Sequence, residues 1–139
     1  MLLLRRWVAL MLIAAALIGS AGAAPYEPAR GCAERAAILD ALRPTVEGEL
    51  RPPVEFMVSS MRVEKSWAFV KVEPQRPGGG AIDAAALGHD TDIMDGLTTW
   101  ALLKKQAAGW TLVDWALGPT DVAWDGWWDR YGAPRAIFP

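Results

Sequence analysis

The stretch from Leu97 to Leu117, LTTWALLKKQAAGWTLVDWAL, constrains the fold more than any other part of the chain. Two apolar runs flank Ala107-Ala108-Gly109, and Gly109 can adopt the positive φ that a tight turn requires. The pattern predicts strands at 97–106 and 110–117 joined as a hairpin. The hairpin carries three of the eight tryptophans, so other elements must pack against it to cover its apolar surface.

A helix is predicted before the strands, from apolar residues spaced three and four apart. These residues are Ala36, Leu39, Leu42 and Val46. Pro44 interrupts the pattern, because proline lacks the amide hydrogen and clashes with the preceding turn. The sequence therefore predicts a helix at 32–43, a bend, and a second turn or two at 45–50.

Two more strands are predicted, at 54–64 and 67–73. The apolar residues of the first change phase at Ser59-Ser60, which predicts a bulge. The second is apolar on both faces, which predicts a central strand covered on both sides. The connection 74–96 contains three consecutive glycines and is predicted to be a long loop.

After the hairpin, Thr120 is placed to cap a short C-terminal helix whose indoles would lie against the sheet. The last five residues are predicted to be a tail. The element order predicts an α+β fold: an N-terminal helix packed on a four-stranded curved antiparallel sheet, with a short C-terminal helix. We expect a single domain at 32–139, after a loose leader at 24–31.

Residues 1–23 are typical of a secretory signal peptide, because two arginines precede an apolar run of 12 residues and a small-residue cleavage site at Ala21-Gly22-Ala23. The remaining chain has 12 basic and 16 acidic residues, a net charge of −4. This balance argues against nucleic acid and anionic membranes as partners. We expect a periplasmic or secreted protein with no membrane span after signal cleavage.

Few residues point to catalysis. Cys32 is the only cysteine, so no internal disulfide can form. His89 is the only histidine, and the acidic segment Asp90–Asp95 matches a calcium-binding loop poorly, so neither a metal nor a cofactor is predicted. Asp114 is the weak catalytic candidate, because a carboxylate buried mid-strand would have a raised pKa and could act as a general base.

Tryptophan is the unusual feature, with seven after residue 23. Exposed tryptophans stack on sugars and anchor protein partners. We expect four or five to be buried and one or two to be partly exposed. The predicted binding residues are Trp124, Trp127 and Trp128, since the adjacent pair cannot share one helix face.

Three motifs resemble a family of small secreted bacterial proteins of uncharacterised function. They are LDALRP at 39–44, WAFV with PQRP at 67–70 and 74–77, and GPTDV at 118–122. The resemblance implies export and a common small fold, and it carries over no active-site residue. The element order is also similar to cystatin-like and NTF2-like folds.

Three functions are compatible with these features. The first is a non-enzymatic binding or interaction module that uses the concave sheet or the tryptophan-rich C-terminal helix to hold a protein, a peptide or another envelope component such as a glycan. The second is a small NTF2-like pocket enzyme that uses a carboxylate base. The third is a cystatin-like inhibitor of an envelope hydrolase that uses the turns at 65–66 and 107–109.

Overall fold

The computed structural model describes residues 24–139, so the predicted signal peptide lies outside the described residues. The helices and strands are α1 Ala33–Leu50, β1 Glu55–Glu64, β2 Trp67–Gln75, β3 Thr99–Gln106, β4 Gly109–Leu117 and α2 Trp127–Tyr131. The four strands form one antiparallel sheet in the order β1-β2-β3-β4. The predicted α+β fold is confirmed.

Helix α1 is continuous through Pro44, so the two segments predicted at 32–43 and 45–50 form one helix. Leu42, Val46 and Leu50 are fully buried on the side of α1 that faces the sheet. Burial of each such side chain is worth roughly 1.5–3 kcal/mol, whereas proline inside a helix costs about 3 kcal/mol. Packing on the sheet therefore outweighs the local preference of proline.

Both hairpins contain an irregularity. The register of β1 against β2 shifts between Val58 and Ser60, which confirms the predicted bulge. A second shift lies in the β3–β4 pair, where Leu102 pairs with Asp114 but Leu103 pairs with Leu112. The extra residue is Val113, and the bulge was not predicted. It places Val113 on the side of the sheet away from α1.

The two faces of the sheet are covered by different elements. The helix face is the one under α1, and its core is aliphatic, with Met61, Val70 and Leu103 fully buried. The opposite face is covered by residues 124–139, and we call it the C-terminal face. Strand β2 contributes buried residues to both faces, as predicted for a central strand covered on both sides.

The C-terminal segment differs from its prediction. Helix α2 has only five residues and begins after Gly126, so Thr120 does not cap it. The last residues form a 3₁₀ helix, Arg135–Ile137, and then Phe138. Ile137 is 0 % exposed and Phe138 is 5 % exposed, so the expectation of a tail is wrong. These apolar side chains bury themselves because the C-terminal face of the sheet is itself apolar.

The leader is attached to the domain at two points. Tyr26 forms a β-bridge with Val63, with backbone N–O distances of 2.9 and 2.8 Å. The Arg35 guanidinium contacts Glu27 Oε1 at 3.1 Å and donates to the Pro28 carbonyl at 2.9 Å. These contacts correct the expectation of a loose segment at 24–31.

Candidate binding cleft

Aromatic side chains from β2, β3 and the C-terminal segment cluster on the C-terminal face. Phe69 lies at the centre, with its ring centroid 5.7 Å from Trp100 and 4.5 Å from Phe138. Trp124 lies beside Trp100, with the centroids 5.8 Å apart and the rings tilted by 48°. Phe69 and Phe138 are buried, whereas Trp100 and Trp124 are half-buried. The cluster therefore has a closed centre and an open side at its two indoles.

A cleft of about 370 Å³ opens at these two indoles. We call it the Trp cleft. Its lining combines the two indole rings with a lysine, two carboxylates and two hydroxyls. The residues are Lys71, Asp95, Thr98, Trp100, Thr120, Asp121 and Trp124, together with Pro119 and Val122. Most ligand sites combine an aromatic or apolar surface with a few placed polar groups, and the Trp cleft has this composition.

Two loops that cross at Gly118 form the rim of the cleft. The Gly118 amide donates to Thr98 O at 2.8 Å, and the Asp95 amide donates to Gly118 O at 2.9 Å. Gly118 has φ +56°, and a Cβ on it would lie 2.4 Å from Gly96 O and 2.9 Å from Met94 Cε. Only glycine permits this close approach, so the geometry of the rim depends on it.

The charges in the cleft are mixed. Lys71 lies opposite Trp100 in the β2–β3 pair, and its Nζ sits 4.9 Å from the Trp100 ring centroid. Asp121 Oδ1 accepts a hydrogen bond from the Val122 amide at 2.7 Å, which orients that carboxylate. With Asp95, the lining carries one positive and two negative groups. It can therefore both donate and accept hydrogen bonds to a ligand.

Asp114, the predicted catalytic candidate, is half-buried on the C-terminal face. Its Oδ2 accepts a hydrogen bond from the Tyr131 hydroxyl at 2.5 Å, and its Oδ1 accepts one from the Trp115 amide at 2.8 Å. A general base must direct a free lone pair at a substrate proton. The Tyr131 contact holds α2 to β4, the Trp115 contact lies within β4, and Asp114 does not line the Trp cleft.

The three predicted binding tryptophans have different surroundings. Trp124 lines the Trp cleft. Trp127 is 3 % exposed and belongs to the core, so it presents no ring face to a partner. Trp128 is half-buried, with the Arg135 guanidinium 4.3 Å above its ring and Phe138 at its edge. Of the three, Trp124 is the one that a ligand in the cleft would touch.

Fewer tryptophans are buried than the four or five that we expected. Trp67 and Trp127 are buried, whereas the other five between residues 24 and 139 are half-buried. Trp110 and Trp115 belong to β4, which is an edge strand, so they border solvent. Trp100 and Trp124 border the cleft.

The remaining polar candidates are dispersed. His89 Nε2 lies 2.8 Å from Glu49 O, where it ties the loop to α1, and Asp90 Oδ1 accepts from the Asp92 amide at 3.1 Å. Cys32 is a free thiol at the N-cap of α1, where Sγ accepts from the Arg35 amide. Within residues 24–139, no three histidine, cysteine or acidic side chains cluster as metal ligands would.

Lys71, Asp95 and Trp100 were not singled out from the sequence as site residues. Trp100 and Lys71 lie on different strands, and only the β2–β3 register makes them neighbours. Asp95 joins them because the crossing at Gly118 brings two loops together. The GPTDV motif at 118–122 was the available signal, since its last four residues line the cleft.

In the described part of the chain, no helix has the length and apolar character to cross a bilayer. Comparisons of the sequence and the fold with family models, curated proteins and solved structures gave no match.

Proposed function

We propose that this protein is an exported, non-enzymatic binding module and that the Trp cleft is its binding site. The observation that carries the proposal is the pair of half-buried indoles, Trp100 and Trp124, on the wall of a cleft with charged and hydroxyl groups. Export to the periplasm or beyond is part of the proposal, and it rests on the sequence of residues 1–23. The resemblance to small secreted bacterial proteins points the same way.

The packing supports binding over catalysis. The centre of the helix face is filled by buried aliphatic side chains, which leaves no enclosed polar pocket between α1 and the middle of the sheet. Partly exposed aromatic rings on the wall of a cleft favour recognition, because burying one on binding removes a large apolar area from water. A pocket enzyme with Asp114 as base is the weaker alternative, because Asp114 does not line the Trp cleft and its Oδ2 accepts from the Tyr131 hydroxyl, which holds α2 to β4.

Acrylamide quenching of tryptophan fluorescence tests the proposal. We expect an envelope extract to protect the purified protein from quenching, because a ligand in the cleft would shield Trp100 and Trp124. In Trp100→Phe and Trp124→Phe the extract-dependent protection should fall, while Trp128→Phe serves as the matched control on the same face. Treating the extract with protease, or passing it through a size filter, separates protein partners from smaller ones. Equal protection in all variants, or none in the parent, would refute the proposed site.

A cystatin-like inhibitor of an envelope hydrolase is the second candidate, and one observation favours it. In an antiparallel order β1-β2-β3-β4 the β1–β2 and β3–β4 turns lie at the same end of the sheet. The Lys105 amide donates to Ser66 O at 2.7 Å, which joins the two turns. The leader is bridged to Val63 near this end, so three segments meet there.

The inhibitor hypothesis has its own test. The purified protein is titrated into envelope extract, and peptidase and glycan hydrolase activities are measured. An inhibitor would lower one activity in proportion to its concentration, and inserting two glycines between Ala107 and Ala108 would abolish the effect. Asp121→Asn is the control, because it alters the Trp cleft and leaves the turns unchanged. Unaltered hydrolase activities at excess protein would exclude this candidate.

A further inference from the structure

We infer that the Trp cleft binds a short, uncharged oligosaccharide. The inference rests on the proposed binding function and adds the chemical class of the ligand. A pyranose ring presents an apolar face of C–H groups and an equatorial belt of hydroxyls. It therefore needs an aromatic surface and, around it, groups that accept and donate hydrogen bonds. The cleft offers both within one cavity.

The aromatic surface comes from two rings at an angle. Trp100 and Trp124 are tilted by 48° with their centroids 5.8 Å apart, so together they form an angled wall instead of one flat plate. Phe69 backs both rings, at 5.7 Å from Trp100 and 5.9 Å from Trp124, and the Phe69 ring is itself buried. The wall is thus held by the core before a ligand arrives, which reduces the ordering cost of binding.

The polar groups fit hydroxyls better than they fit an ion. Asp95 and Asp121 accept hydrogen bonds only, Lys71 donates only, and Thr120 does both, whereas Thr98 Oγ1 already donates to Glu73 Oε2 at 2.8 Å and offers a ligand only an acceptor. A sugar hydroxyl donates and accepts at once, so it can bridge an aspartate and the lysine. The excess negative charge of the lining disfavours an anionic ligand. The Lys71 ammonium over Trp100 already occupies a cation–π position, which disfavours a cationic one.

The size of the cleft limits the ligand. Its 370 Å³ lies near the lower end of the roughly 300–1,000 Å³ of small-molecule pockets. The cleft is open at the surface, since Asp121 and Val122 on its rim are exposed. A cleft of this size holds one or two sugar rings, and further rings of an oligosaccharide would extend into solvent.

Titration with defined trisaccharides tests the inference. The uncharged probes are cellotriose, maltotriose and tri-N-acetylchitotriose. The anionic comparator is trigalacturonate, and the cationic one is chitotriose. We expect at least one uncharged probe to cause saturable quenching or a blue shift of tryptophan emission, with weaker binding of both charged probes. No saturation with any uncharged probe up to about 10 mM, or tighter binding of a charged probe, would overturn the inference.

Conservative variants locate the bound sugar. Asp95→Asn and Asp121→Asn keep the shape of each side chain and remove its charge, and each should weaken binding about tenfold, the usual consequence of losing a charge-assisted hydrogen bond. Asp125→Asn is the matched control, because Asp125 is exposed on the same segment and does not line the cleft. Circular dichroism confirms that each variant is folded. Equal affinity in all three variants would place the sugar elsewhere and overturn the inference.

The two proposals can fail separately. If envelope extract protects Trp100 and Trp124 but no uncharged trisaccharide binds, the cleft is a binding site and the sugar class is wrong. If neither extract nor sugars protect the two indoles, both the proposed function and the sugar class are wrong.

Discussion

The two faces of the sheet are covered by different kinds of side chain. On the helix face, α1 lays aliphatic side chains against the strands, and Ile38, Leu42 and Val46 are fully buried. On the C-terminal face, a segment with only a five-residue helix lays aromatic rings on the sheet, and several of those rings stay half-buried. The buried core of the first face is aliphatic, whereas that of the second is aromatic and opens at its edge into a cleft with charged groups.

The difference indicates that the two faces have different roles in the protein. A continuous helix can bury an apolar stripe along one face, because its side chains recur at fixed intervals. The irregular segment leaves several rings of the other face half-buried, and cations lie over three of its aromatic rings. Lys71, Lys104 and Arg135 lie 4.9, 4.9 and 4.3 Å from the ring centroids of Trp100, Trp67 and Trp128. Stability should come mainly from the helix face and recognition from the C-terminal face.

The largest expected effect is on the helix face. Leu42→Ala should lower the free energy of unfolding by about 4 kcal/mol, because the side chain is 0 % exposed and its removal leaves a cavity. Leu39→Ala, on the same helix but half-buried, is the matched control and should cost about 1 kcal/mol. Urea unfolding measures both. A loss in Leu42→Ala of only about 1 kcal/mol would mean that burial under α1 is not the main source of stability.

The corresponding change on the C-terminal face should be smaller and more local. Phe138→Ala removes a ring that touches Phe69, Trp124 and Trp128. We expect a loss of about 2–3 kcal/mol, below the usual 3–5 for Phe→Ala, because the chain end can detach without unfolding the sheet. Acrylamide quenching of tryptophan should increase under native conditions. Unchanged quenching would show that the two faces unfold as one unit.

Much of the fold could be predicted from the sequence because its signals are local. The four strands, the bulge at Ser59-Ser60 and the doubly covered β2 follow from alternation and its interruptions. The prediction of two helical segments around Pro44 differs from the structure because packing of α1 on the sheet outweighs the tendency of proline to interrupt a helix. The last five residues were predicted to be a tail because Ile137 and Phe138 are not part of a periodic apolar pattern. They are buried because they cover a sheet face that would otherwise expose its apolar side chains to water.

The Trp cleft was less predictable, because it depends on the register of β2 against β3 and on two loops that meet at Gly118. A sequence shows that Trp124 belongs to an aromatic cluster, but it does not show that Trp100 and Lys71 are cross-strand neighbours. It also does not show that Gly118 brings Asp95 to the cleft. The unpredicted bulge at Val113 similarly turns Asp114 toward Tyr131. These relations become visible only when the strands are paired.

Gly118→Ala tests whether the open side of the C-terminal face depends on the crossing of its two loops. The added Cβ would lie 2.4 Å from Gly96 O, in addition to the strain of φ +56°, so we expect a loss of about 2 kcal/mol and altered quenching of the cleft tryptophans. Gly132→Ala is the control, since Gly132 has φ +71° with open space around its Cβ position, and it should cost about 1 kcal/mol. If both variants lose the same stability, the close approach at Gly118 does not shape the rim.

The smallest effect concerns Tyr26, where the leader is attached beside the helix face. The hydroxyl of Tyr26 donates to Glu34 Oε1 at 2.6 Å, and this hydrogen bond to a carboxylate, with a minor contribution from burial, raises the pKa of Tyr26 from 10.0 to about 12. A raised folded-state pKa means that the contact stabilises the fold below about pH 10 and that this stabilisation is lost as the pH rises through 12.

Glu34→Gln should lower the pKa of Tyr26 toward 10.0, because the neutral amide no longer favours the protonated hydroxyl over the tyrosinate. Tyrosinate absorbance during an alkaline titration measures the shift, and Tyr26→Phe identifies which of the two tyrosines gives the signal. Glu27→Gln is the control, because Glu27 pairs with Arg35 and not with Tyr26. Since Tyr26 is 47 % exposed, solvent screens the interaction, and stability at neutral pH should hardly change in Glu34→Gln. A large loss of stability in Glu34→Gln at neutral pH would mean that the leader contributes to the packing of the helix face. The difference between the two faces would then not be due to α1 alone.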